Sequence, residues 1–407
     1  MTPSTQRQPC LLQLFNRYRE RGGEEQSADR IFHQAQRDFR MERLWWDSRD
    51  WDKKDAPGKL GQVRRLFYNP DSAREIEKLV REHGVDALLC HNIYPIGSPS
   101  IYHTAIRLDI PVIQFLHNFR PFSVGGPLWA RDHVATDSLD LRHREEVLAG
   151  AWQNSRVKSA LLSVVLKRLH ASGWLRSVKA WVAISDFIRT KFIEAGIPAE
   201  HVHTLRHCWA PQGDNPNLAD QGYYLYLARL IPEKGVAPTL EAWRILEQRL
   251  GPACPKLIVG GTGSQEDKVR AAVAASDKIE FLGWVDGAEK TRLIEGCRAM
   301  MAPSVCWEAL GLVTYEAYDY RKPMLGAASG GLTETINDGV TGFIHQPGDG
   351  ADLAESVIKL ESMDVDARRA MGEAGYRWLL TEATLDRWQD RFAAIVSQTL
   401  ESHRSQS

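Results

Sequence analysis

Tyr223-Tyr224-Leu225-Tyr226-Leu227-Ala228-Arg229-Leu230-Ile231-Pro232-Glu233-Lys234-Gly235 decides the fold. Its first five residues form an unbroken apolar run of strand length, the pattern of a strand buried on both faces. Pro232 and Gly235 then break the chain, and a helical polar-apolar pattern follows over 238–250. Outward from this stretch the same alternation repeats. Apolar runs stand at 11–15, 87–90, 111–116, 181–184, 257–259, 279–282, 299–302 and 323–327. Helical patterns stand at 72–83, 266–275, 288–297 and 352–361. Strand, helix, strand, helix predicts an α/β fold whose parallel sheets are covered on both faces.

The alternation breaks once, at 206–222, where Pro, Gly, Asn and Asp crowd together. That segment reads as a linker between two α/β domains, 1–205 and 223–383, which would leave a cleft for a ligand. The polar stretch 42–66, with Trp45, Trp46 and Trp51, shows neither period and receives no assignment. With 407 residues the chain is long enough for such domains to bury full cores. Charge is balanced, 51 Lys+Arg against 52 Asp+Glu, which argues against a nucleic-acid partner. Six cysteines without a Cys-x-x-Cys pair fit a reduced compartment and no zinc knuckle. No signal layout and no apolar run near 18 residues is visible, so a cytoplasmic location is expected.

In open α/β sheets ligands sit beyond the carboxyl ends of the strands. After the apolar runs of the first half come Asn16 and the Arg21-Gly22-Gly23-Glu24-Glu25 turn, His91-Asn92, His117-Asn118 and Ser185-Asp186. Ser185-Asp186 reads as a helix N-cap. The second half is more specific. Arg229 and Lys234, five residues apart on one loop, can both face a diphosphate and neutralise a phosphate leaving group without a metal. Gly260-Gly261-Thr262-Gly263 lacks the third glycine of a dinucleotide fingerprint, so a tight structural turn explains it equally well.

The segment 302–317 runs from a strand end through a loop carrying Glu308 into a helix opened by Gly311. Free N–H groups of Gly311, Leu312 and Val313 would seat an anion. Glu316, about one turn further on, can accept bonds from a ribose diol, and Glu308 lies nearer the reacting end. Two Asp-x-Asp triplets, 50–52 and 364–366, do not follow apolar strands, and the second reads as an N-cap. No metal is therefore expected.

The 228–235 motif, the Glu308-x7-Glu316 pair and Gly330-Gly331 through Gly342, with the N-terminal Asn16-Arg17-Tyr18, Gly22-Gly23-Glu24-Glu25, His91-Asn92 and Leu116-His117-Asn118, resemble the retaining glycosyltransferases of family four. The resemblance implies the GT-B fold, two Rossmann-like domains facing a cleft. It implies a nucleotide-sugar donor as substrate, no cofactor, a hydroxyl of a glycan or lipid-linked acceptor, and retention at the anomeric carbon. By it, Arg229 and Lys234 hold the diphosphate, and Glu316 the ribose. Glu308 with the backbone of Gly311, Leu312 and Val313 holds sugar and phosphate. Gly23 approaches the diphosphate, His117 lines the reaction centre, and a last helix at 384–400 crosses back to the first domain. Leu310 stands where the family commonly has Phe, and Arg206-His207 where it often has Pro-Asn. A non-catalytic nucleotide-sugar binder, an epimerase and a phosphorylase are the alternatives. A dehydrogenase is disfavoured by the missing N-terminal G-x-G-x-x-G.

Between 156 and 180, Arg156, Lys158, Lys167, Arg168, Arg176 and Lys179 interleave with leucines and valines. Such a basic amphipathic helix could lie peripherally on an anionic inner-membrane surface, or be an ordinary domain helix with a solvated face.

Overall fold

Continuous apolar runs become strands because their side chains are buried on both sheet faces. The computed structural model describes residues 7–19, 23–211 and 220–405. The chain forms two units, one of residues up to 130, 135–207 and 385 onward, the other of 131–134 and 208–384. Of the linker expected at 206–222, residues 206–207 fall in the first unit and 208–211 and 220–222 in the second, while 212–219 lie outside the described residues.

The first unit holds a six-stranded sheet, β1 (Cys10–Arg17), β2 (Arg40–Asp47), β3 (Ala87–Cys90), β4 (Val112–Leu116), β5 (Val178–Ala183) and β6 (Val202–Thr204). Their spatial order is β2-β1-β3-β4-β5-β6, and every pairing is parallel. The second unit holds β7 (Tyr223–Leu227), β8 (Lys256–Gly260), β9 (Ile279–Gly283), β10 (Ala299–Ala302), β11 (Met324–Ala327) and β12 (Gly342–His345). Their order is β9-β8-β7-β10-β11-β12, again all parallel. Each sheet reverses its winding at one place, between β1 and β3 in the first and between β7 and β10 in the second. Such switch points part the loops at the strand ends and open a crevice for ligands.

β2 fills part of the stretch that carried no period. It is an edge strand, pairing Leu14 with Leu44 and Phe15 with Trp45. Only Trp46 of its residues is buried, so it needs no apolar run. The expected helix over 156–180 is shorter: it spans Arg156–Ala171. A 3-10 turn takes Arg176, and Lys179 belongs to β5. Leu162, Val165, Leu166 and Leu169 are buried in the first unit. The apolar stripe that would have met lipid therefore packs into the protein core.

The second unit's core gathers Tyr224, Tyr226, Trp243, Leu257, Met301, Leu353 and Val357, at 0–2% exposure. The last helix, Leu385–Arg404, belongs to the first unit and seats Phe392 against Phe39 and Phe115, with ring centroids 5.6 and 6.1 Å apart. Among the described residues no helix is long and apolar enough to cross a membrane. Because Phe392 is fully buried, Phe392→Ala is expected to cost about 3–5 kcal/mol. Denaturant unfolding followed by a first-unit probe measures that loss, and an unchanged midpoint contradicts this packing.

Candidate functional site

In the second unit the switch point brings together the loop after β7 and the loop after β10. The first loop turns through Pro232–Lys234 into the helix Val236–Leu250. Gly235 makes that turn at φ +78°, and a Cβ there would overlap the carbonyl oxygen of Pro303. The two loops are therefore in backbone contact, and only glycine fits between them. The N–H of Val305 donates to the carbonyl of Glu233 at 3.0 Å, and Tyr226 Oη donates to the carbonyl of Lys234 at 2.9 Å.

Across this contact Lys234 Nζ donates to Glu308 Oε1 at 2.5 Å, and Ser304 Oγ donates to the same oxygen at 2.5 Å. The side chains of Lys234 and Glu308 are 23% and 16% exposed, so solvent screens the pair little. Burial by itself would lower the Lys234 pKa, but the Glu308 carboxylate outweighs it and holds the ammonium above its ordinary value. Burial likewise pushes the Glu308 carboxyl upward. Lys234, Ser304 and the charge of Arg229 together hold it below. Both groups are charged at neutral pH. Arg229 itself is exposed, and its field reaches both partners.

Glu308 is fixed from behind by the turn after β11. The N–H of Gly331 donates to the Glu308 carbonyl at 2.8 Å. Gly330, at φ +56°, leaves no room for a Cβ beside that carbonyl. Gly311 opens the helix Leu312–Asp319. No hydrogen bond among the described residues takes the N–H of Gly311, Leu312 or Val313. They remain open donors at a positive helix end. Glu316, on the same helix, accepts from Lys290 Nζ at 2.7 Å. Sequence reasoning missed Lys290, a cation on the helix Gly287–Gly296 far from Glu316 in the chain. The Gly261-Thr262-Gly263 turn is structural: the N–H of Leu230 donates to the Thr262 carbonyl, and the N–H of Gln265 to the Leu230 carbonyl, both at 2.8 Å.

In the first unit the strand ends carry a second cluster. His91 follows β3 and His117 follows β4; their rings stack at 5.0 Å, and His91 Nδ1 meets His117 Nε2 at 2.8 Å. His207 stacks on His117 at 5.4 Å and 13°. It is one of the residues that depart from the pattern of the family the sequence resembles; its neighbour Arg206, another of them, pairs with Asp186 at 2.8 Å. Asn16 and Asn92 are structural: Asn16 N–H donates to the Asn92 carbonyl, and Asn92 Nδ2 to that of Asn16, both at 2.7 Å. Ser185 is an N-cap, accepting from the N–H of Ile188.

A small cavity of about 20 Å³ lies beside the histidines, lined among others by Glu24, Tyr94, His117, Asn118 and Arg120. Tyr18 and Asn118 both donate to Glu24, at 2.7 and 3.0 Å. Burial raises the Glu24 pKa against those bonds and the Arg120 charge. Gly23 is exposed at the start of the helix Gly23–Ala35, with open space where a Cβ would sit. Gly22 lies outside the described residues.

Of the Asp-x-Asp triplets, Asp364 accepts from the N–H of Ala367 as an N-cap. Asp50 and Asp52 pair with Lys53 and Arg19. Among the described residues no three His, Cys, Asp or Glu side chains are grouped to hold a metal ion.

Two six-stranded parallel sheets, each in its own unit, make the GT-B fold. The chain superposes on the Anabaena HepE structure in complex with UDP over 95% of its length and 99% of HepE's, with a TM-score of 0.66 at 17% identity. Residues 212–378 match the model of the glycosyl transferases group 1 family. It is 29% identical over 374 residues, 85% of each chain, to the GDP-mannose-dependent alpha-(1-6)-phosphatidylinositol monomannoside mannosyltransferase of Mycolicibacterium smegmatis. It is 27% identical over 195 residues to the amylovoran biosynthesis glycosyltransferase AmsK of Erwinia amylovora, covering 45% of this chain and about half (47%) of AmsK.

Burial holds His117 down at about pKa 3. Burial, helped by the neighbouring histidines, holds His91 and His207 well below the ordinary value. In the unfolded chain each binds its proton near 6.5. Unfolding therefore takes up protons once the pH drops below about 6.5, and stability falls with the pH. The slope is at most about 1.4 kcal/mol per pH unit for each histidine. Denaturant titrations of the first unit between pH 6.5 and 4 are expected to show this decline, and His207→Phe a shallower one. Equal slopes for the two proteins contradict the assignment.

Proposed function

We propose that this protein is a retaining glycosyltransferase that moves a sugar from a nucleoside-diphosphate sugar to a hydroxyl of a glycan or lipid-linked acceptor, without a metal. The observation that carries this is the Lys234–Glu308 pair at the second switch point, beside the open N–H groups of Gly311, Leu312 and Val313. As the bond between the anomeric carbon and the β-phosphate oxygen breaks, its electron pair stays on the diphosphate. Lys234, Arg229 and the helix N–H groups stabilise that charge. The acceptor oxygen bonds to the anomeric carbon on the face the diphosphate leaves, and its proton passes to the departing diphosphate. Glu308 gives up Lys234 to the diphosphate and accepts from a sugar hydroxyl. Glu316 exchanges Lys290 for the ribose diol. The unit built on 223–383 takes the donor, and the first unit takes the acceptor.

The GDP-mannose and phosphatidylinositol mannoside named for the Mycolicibacterium relative, and the UDP bound to HepE, support a nucleotide-sugar donor and a lipid-linked acceptor. The cations at the site supply the charge that a divalent ion supplies elsewhere. We place the enzyme in the cytoplasm, touching the inner membrane surface through the exposed Arg156, Lys158, Lys167 and Arg168. Since the apolar stripe of their helix is buried, this contact is electrostatic, and co-sedimentation with anionic vesicles should vanish as salt is raised. Co-sedimentation that persists in high salt, or none at low salt, contradicts it.

Lys234→Ala is expected to lower kcat by about 10²-fold or more. Glu308→Gln removes the negative charge that competes for Lys234. Its expected signature is tighter binding of free nucleoside diphosphate with a lower kcat. If neither substitution alters nucleotide affinity or turnover in folded protein, the pair does not hold the donor.

A further inference from the structure

Inside the first unit a file of hydrogen bonds runs from Trp45 to His117, and its order fixes where each proton sits. The Trp45 indole has a donor and no acceptor, and it donates to Gln13 Oε1 at 3.2 Å. The amide nitrogen of Gln13 must then face the other way. It donates to the Ala28 carbonyl at 2.7 Å and meets His91 Nε2 at 3.0 Å. An amide NH2 cannot accept, so His91 Nε2 is the acceptor and the His91 proton is on Nδ1. That Nδ1–H donates to His117 Nε2 at 2.8 Å. A neutral His117 thus keeps its proton on Nδ1. This atom is buried and has no hydrogen-bond partner among the described residues.

Two more polar atoms of the same cavity lining, Tyr94 Oη and Arg120 Nε, are also buried without partners. Buried donors are rarely left unmatched unless a ligand or water completes them. Gln13 is fully buried and His91 is 2% exposed, so solvent does not scramble the relay.

We infer that Gln13 is a positioning residue: through His91 it fixes His117 in the Nδ1–H tautomer, which makes His117 a hydrogen-bond donor to an oxygen of a bound sugar. The sugar as ligand rests on the function proposed above; the tautomer does not. With Nε2 occupied by His91 and Nδ1 protonated, His117 has no free lone pair and does not act as a base.

The test is a long-range nitrogen–proton correlation spectrum of the full chain labelled with 15N-histidine, with no ligand present. His91 and His117 are both expected as Nδ1–H tautomers. In Gln13→Glu the carboxylate accepts from His91 Nε2–H, so both rings should invert. In Gln13→Met, which offers no donor, they should become mixed. Trp45→Phe should keep the native tautomers, because the Ala28 carbonyl still orients the amide. Where Gln13→Glu folds, its kcat/KM with nucleotide-sugar is expected to fall by about tenfold, with KM rising more than kcat falls. A Gln13 that served only packing would change the melting temperature and leave the tautomers as they are. The inference is overturned if native His117 is Nε2–H, or if both Gln13 variants keep the native pattern. Native tautomers in a protein that turns over no nucleotide-sugar would uphold the relay and refute the proposed reaction instead.

Discussion

The contact between the Lys234 ammonium and the Glu308 carboxylate is what the second unit's strand-end loops are arranged around. It joins two loops distant in sequence that meet only because β7 and β10 are neighbours at the switch point. Gly235 lets one loop approach the other, Gly330-Gly331 pins Glu308 from behind, and Ser304 orients the carboxylate. A half-buried ion pair of this kind adds little net stability, since desolvation of both charges offsets their attraction. Its value is that a cation stands ready, without its own rearrangement, where an anion can take over as partner.

The two units solve one problem in different ways. Each parallel sheet leaves a crevice at its switch point, and each lines that crevice with polar groups in a low-dielectric setting. The second unit uses fixed charges and a helix end, suited to phosphates. The first uses neutral imidazoles kept neutral by burial, together with unmatched N–H and O–H groups, suited to hydroxyls. A buried neutral histidine is a directional donor, and its direction depends on neighbours that never touch the ligand.

Much of this was legible in the residues. Parallel strands announce themselves by unbroken apolar runs, so β7 and β10 were plain, and so were the loops with Arg229, Lys234, Glu308 and Glu316. β2 was not legible, because an edge strand carries Arg40, Glu42 and Arg43 without penalty. Lys290 was invisible because nothing along the chain marks a cation that meets Glu316 only after two helices pack. The helix over 156–180 was legible but its end and its apolar face were not, because leucines that face a protein core look the same along the chain as leucines that face lipid. The relay did leave a trace: Gln13 interrupts Leu11-Leu12-Gln13-Leu14-Phe15, and a polar residue inside a buried strand must find a partner. The His207 contact left none, since it joins residues 90 positions apart.

The most direct measurement is a crystal structure of the protein with a nucleoside diphosphate, UDP or GDP, bound. The account predicts a β-phosphate oxygen within hydrogen-bond reach of Lys234 Nζ and of the Gly311–Val313 backbone N–H groups, with Glu308 released from Lys234. A diphosphate bound elsewhere while the Lys234–Glu308 pair stays closed would contradict it.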